Sequence, residues 1–177
     1  MSICTETDSQ ALHITAELDE PLQALSERLA LLHKTLSTAT LYRIWRSVAR
    51  TLQDLLWYQV IIHQRFTSNG GRQFYRDVTA LLSLIDTYIP GASETVLGMP
   101  KIKESAILLS LPTTISRDSS GDTSTKGIFR STTIDAAYDR VMRDNASAKA
   151  FVTDMAFLEL DYAETRRIIE RRIEVGE

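Results

Sequence analysis

The sequence predicts an all-α protein, an antiparallel bundle of about seven helices. Three observations point there. Apolar residues recur at steps of three and four through most of the chain, no segment alternates with period two long enough to make a strand, and breakers are few, with seven Gly and four Pro in 177 residues. The composition, 44% hydrophobic and 24% charged, supplies ample material for a core.

The first helix is read from a stripe at Ile14, Leu18, Leu22, Leu25, Leu29, Leu32 and Leu36, whose spacing approaches a heptad repeat. About three heptads is short for a free coiled coil, so a bundle helix is expected. Pro21 either kinks it or marks a start near Asp19, which would then be the cap. The hydroxyls of Ser37–Thr40 suit the N-cap of a second helix, expected from Leu41 to Phe66. Its apolar residues spread over more than one face, which places it in the middle of the bundle. Thr67 to Gly71 then breaks the helix and reverses the chain. The third helix, 71–88, puts Phe74, Val78, Leu81, Leu82 and Ile85 on one face and ends before Ile89-Pro90-Gly91. Beyond a loop from Pro90 to Met99, Pro100 stands at the first turn of a helix over 101–110, whose inner side is Ile102, Ala106 and Leu109.

Residues 112–127 are dominated by Ser and Thr and nearly devoid of apolar side chains, so nothing there offsets the entropy of ordering. A flexible surface loop is expected; abundant Ser and Thr alone is weak evidence for phosphorylation. Three short helices close the chain, at 133–144, at 146–157 with Asn145 as cap, and from Tyr162 to about Val175, where Asp161 and Glu164 have capping-box spacing. Leu158, Leu160, Ile168, Ile169 and Ile173 should pack on the preceding pair. The organisation expected is a disordered N-terminus at 1–10, a four-helix part at 11–111, a flexible loop at 112–130 and a three-helix part at 131–177.

No chemistry is visible in the pattern. His13, His33 and His63 do not pair at helical spacing, HExxH and G-x-S-x-G are absent, and Gly70-Gly71 lacks the lysine and the preceding strand of a phosphate loop. The single cysteine, Cys4, rules out a disulfide framework or a cysteine-clustered zinc site. The reading is therefore non-enzymatic, with no catalytic residue, metal or cofactor. The first twenty residues have neither the basic nor the apolar region of a signal peptide, so the Asn145-Ala146-Ser147 sequon is read as unused. The longest nearly uncharged apolar stretch, Leu55 to Ile62, is far shorter than the ~20 residues that span a bilayer.

Charge is uneven beneath a formal total of −3, which itself argues against nucleic acid. Residues 1–36 hold six acidic and two basic side chains, whereas 41–76 hold six arginines against Asp54. Arg43, Arg46 and Arg50 recur at steps of three and four and share one helix face. That face either lies against the acidic first helix, is simply solvated, or docks an acidic partner or anionic lipid headgroups. Trp45 and Trp57, twelve residues apart, stand about 120° from each other around a regular helix and so anchor different contacts.

The segment from Ile44 to Leu111 resembles the C-terminal part of the RINT/TIP family. The likeness is carried by Ile44-Trp45-Arg46, Leu56-Trp57, and the turn Phe66-Thr67-Ser68-Asn69-Gly70-Gly71-Arg72-Gln73 with Asp77 four residues on. Lys103 to Pro112 is similar to the family's leucine-rich helix ending in Pro, and Tyr162 to Ile173, with Arg171-Arg172, to its closing helix. The resemblance implies the C-terminal end of a helical-rod tether, a subunit of the Dsl/NRZ complex acting in Golgi-to-ER retrograde transport. It implies the cytoplasmic face of the endoplasmic reticulum as location, and other tether subunits and ER SNAREs as partners. Physically, Gly70 and Gly71 are expected to let the second and third helices fold back closely, Phe66 to seal the turn, and Gln73 and Asp77 to bond backbone groups there.

Overall fold

A computed structural model of the chain describes residues 14–113 and 132–174. The expected disordered N-terminus, Cys4, His13 and most of the Ser/Thr-rich loop lie outside the described residues. Within them the protein is all-α: α1 (Ala16–Thr35), α2 (Thr38–Leu55), α3 (Ser68–Tyr88), α4 (Pro100–Leu109), α5 (Ile134–Arg143), α6 (Asn145–Asp154) and α7 (Tyr162–Ile169).

α1 begins upstream of Asp19 and passes through Pro21. It tolerates the missing amide because it is a peripheral helix, with Leu29 its one buried residue, and it packs mainly on α3. α2 is capped by Ser37, as its hydroxyl suggests, but does not continue to Phe66. It passes at Leu56 into a π-helical turn, Leu56–Ile61, in which the Ile62 amide reaches the Trp57 carbonyl five residues back. The wider turn keeps Trp57 and Ile61 both buried while Tyr58 swings out to solvent. Thr67 then caps α3, and both glycines of the motif lie inside that helix instead of in the turn.

α4 is the central element. Ile102, Ala106, Leu108 and Leu109 are completely buried, and even Glu104 and Ser105 on its other side are covered. The inner side expected from the sequence is Ile102, Ala106 and Leu109 alone; the face that carries Glu104 is covered as well. There Glu104 meets the 158–160 loop. Both Glu104 carboxylate oxygens accept backbone amides there, from Leu158 at 2.8 Å, Glu159 at 3.1 Å and Leu160 at 2.9 Å. Three converging N–H groups satisfy a buried anion. Glu104→Gln puts an amide NH2 against those donors, and a loss of about 2 kcal/mol in urea unfolding is expected, with faster amide exchange at 158–160.

The last three helices depart from expectation at their ends. Asp144, not Asn145, caps α6, its carboxylate accepting the Ser147 amide at 2.7 Å. That amide above all, helped by the Ser147 hydroxyl, the Ala146 amide and the Arg143 charge, holds the Asp144 carboxyl below its ordinary pKa against the opposing desolvation. α7 has the full Asp161/Glu164 capping box but stops at Ile169, so the helix expected to Val175 is shorter. Leu160, Ile168 and Ile169 enter the core, while Leu158 is 90% and Ile173 42% exposed. Past α7 the chain turns through residues 170–174, and Phe66 and Arg172 form an isolated parallel bridge, with the Phe66 amide on the Arg171 carbonyl and the Ile173 amide on the Phe66 carbonyl. One apolar cluster joins side chains from both the four-helix and the three-helix parts.

Candidate functional site

The family-like residues gather into bracing contacts at several places. Trp45 is buried on α2 and donates its indole N–H to the Leu97 carbonyl at 3.0 Å, fastening the helix to the 96–98 turn. Trp57 is buried in the π-helical turn, with the Lys101 ammonium 4.0 Å from its ring centroid and paired in turn with Glu164. The two tryptophans thus serve separate junctions. Phe66 is buried against the Phe74 ring, 5.5 Å between centroids.

Gln73 and Asp77 meet each other and Thr15, at the start of α1. Asp77 accepts both the backbone amide of Thr15, at 2.9 Å, and its hydroxyl, and Gln73 donates to Asp77 at 3.0 Å and to Thr15 at 3.2 Å. Together they clamp the start of α1 to the middle of α3, across 62 residues of sequence. Thr15 makes no cap bond to its own helix because its side chain is used here. Asp77→Ala is expected to cost about 1–2 kcal/mol and to fray the first turns of α1, visible as faster amide exchange at residues 17–20.

The 66–71 corner itself is built by Gly71 and by residues the sequence reading did not weigh. A Cβ on Gly71 would lie 2.0 Å from the Leu109 carbonyl oxygen, so the absence of a side chain is what lets α3 touch the end of α4. The same carbonyl accepts the Arg172 guanidinium at 2.6 Å, and Leu111 accepts it at 2.9 Å. The guanidinium also reaches the Ser68 hydroxyl at 2.6 Å and Glu174 at 3.1 Å, and Glu174 accepts the Ser68 amide. Arg172 is 1% exposed, so the closing segment is locked to α3 and α4 by a fully covered charge. A signal for it existed: Arg172 follows Ile168 and Ile169 by four and three residues, which aligns it with the inward face of α7.

The basic edge is different in kind. Arg43, Arg46 and Arg50 are exposed on α2 and form no ion pair among the described residues. The acidic first helix does not cover them, since it lies mainly on α3. Arg46 and Arg50 instead wall a cleft of about 180 Å³ shared with Ala49, Val96, Pro100 and Glu159. Elsewhere His33 packs its ring edge on Tyr88, and His63 contacts the Tyr58 carbonyl. Among the described residues no three His, Cys, Asp or Glu side chains gather as a metal group, and no helix is long and apolar enough to cross a membrane.

Buried polar groups that brace backbone, with a basic edge exposed on α2, define an all-α helical scaffold. The chain belongs to the RINT-1/TIP-1 family, whose model matches residues 1–172. That is a tether-type family linked to the endoplasmic reticulum. A search of curated proteins finds no match to the chain, and a search of solved structures finds none either.

Proposed function

We propose that this protein is a non-catalytic part of the Dsl/NRZ vesicle-tethering assembly, acting in Golgi-to-ER retrograde transport at the cytoplasmic face of the endoplasmic reticulum. The observation that carries this reading is the family match over residues 1–172. The architecture supports it: a braced helical stack holds surfaces in fixed relation, which is the physical requirement for bridging other proteins without turnover. Its partners are the other tether subunits and ER SNAREs, and it needs no cofactor. The test is affinity purification of the tagged full chain from cells. Co-recovery of tether subunits or ER SNAREs is the expected result, and recovery of a free cytosolic monomer overturns the reading.

A second reading makes the chain an autonomous module that binds an acidic partner or the surface of a membrane through α2. It is favoured by the exposed and unpaired state of Arg43, Arg46 and Arg50. Vesicle pelleting insensitive to reversal of those three charges removes its membrane form.

A further inference from the structure

We infer that the cleft between α2 and the Val96–Pro100 segment is a docking site for an acidic amphipathic helix of a partner protein. It rests on the interaction role proposed above, but not on the pathway in which that role is used.

The charge comes first. Arg43, Arg46 and Arg50 run along one edge of α2 over about 10 Å, two turns of helix, which matches the length of two turns on a partner helix. None is neutralised by an ion pair among the described residues, in a chain whose formal charge is −3. A local positive strip on a protein of net negative charge selects a partner carrying carboxylates at three- and four-residue spacing.

The shape comes second. Arg46 and Arg50 also line the cleft, together with Ala49, Pro100 and Val96. Its volume of about 180 Å³ has room for one apolar side chain. Val96 is 64% exposed at this cleft. Leu158 is 90% exposed beside the cleft residue Glu159, although the Glu104 carboxylate fixes its backbone from below. A leucine held outward on an immobilised loop loses little further entropy when a partner covers it. Carboxylates on one edge of an incoming helix would meet the arginines, and an apolar residue on the adjoining edge would enter the cleft. Glu159, which also lines the cleft, opposes a uniformly anionic bilayer, which would meet it together with the arginines, whereas a helix can present a basic or neutral residue there.

The test uses the purified full chain and a fluorescein-labelled peptide designed as an amphipathic helix, with glutamates on one edge and leucines on the next. The readout is fluorescence anisotropy, with phosphatidylcholine–phosphatidylserine vesicles as the competing surface. Reversal of Arg43, Arg46 and Arg50 to Glu is expected to weaken peptide binding at least about tenfold, and Val96→Asp about fivefold. The control reverses Arg28, Lys34 and Arg143, exposed residues away from the cleft, by the same total charge. Three results overturn the inference: equal weakening by the control, absence of peptide binding by the native chain, or vesicle binding that displaces the peptide without requiring Val96. Because the assay contains purified chain only, it can fail while co-purification with tether subunits succeeds, and the reverse.

Discussion

Gly71→Ala is expected to remove at least about 3 kcal/mol of folding stability, while Gly70→Ala leaves it within about 0.5 kcal/mol. The two glycines are neighbours in the first turns of α3, and in an isolated helix either replacement would be favourable by roughly 0.5–1 kcal/mol. Their surroundings set them apart. A Cβ at position 70 meets only the Thr67 hydroxyl, at 3.3 Å. A Cβ at position 71 falls 2.0 Å from the carbonyl oxygen of Leu109 and 2.8 Å from its carbon. Those are backbone atoms of the most buried helix, with no rotamer to turn aside. Relief requires α3 and α4 to separate along their whole contact, which opens space beside Val78, Leu82, Ile102 and Ala106. Urea unfolding of the two single variants gives the comparison directly, and similar midpoints for both would show that the close approach is not maintained in solution.

This contrast also marks how far the sequence could be read. Helix positions followed from periodicity because each helix has at least one apolar face, and Asp161/Glu164 declared the start of α7 through purely local spacing. What failed was whatever depended on a partner distant in sequence. The end of the second helix was extended to Phe66 because Leu56, Val60 and Ile62 continue an apolar pattern, yet the π-helical turn is set by burying Trp57 and Ile61 together. Gln73 and Asp77 were recognised as a pair but assigned to the nearby turn, since nothing in their own segment points to Thr15. The burial of Glu104 is not legible from its own helix, because its amide donors come from residues 158–160, more than fifty positions on. The basic edge of α2 was legible as a stripe, but not the cleft beside it, which needs Val96, Pro100 and Glu159 from two other segments.

Arg172→Met is expected to cost about 2–4 kcal/mol, because the covered guanidinium is the donor to the Leu109 and Leu111 carbonyls, while its charged partner Glu174 is exposed. The apolar substitute fills the space but leaves the Leu109 and Leu111 carbonyls, the Ser68 hydroxyl and the Glu174 carboxylate without their shared donor. Arg172→Lys keeps the charge and still loses about 2 kcal/mol, because one ammonium cannot reach the α4 carbonyls and Ser68 from opposite sides as a planar guanidinium does. The cluster also gives a pH signature. Burial alone would raise the Glu174 pKa, but the Ser68 amide, its own amide and the Arg172 guanidinium outweigh that and leave it below the ordinary 4.5. A carboxylate whose folded pKa is depressed contributes its stabilisation fully above its unfolded value and loses it as the pH falls through the lower folded one. Native stability should therefore decline on acidification below about 4.5, and Glu174→Gln or Arg172→Met should flatten that part of the profile. Since Leu109 is the carbonyl that both Gly71 and Arg172 require in place, the two variants are not independent. The Gly71→Ala/Arg172→Met double variant is expected to lose at least about 1 kcal/mol less than the sum of the singles, and strict additivity in a double-mutant cycle would mean that the two residues brace the corner separately.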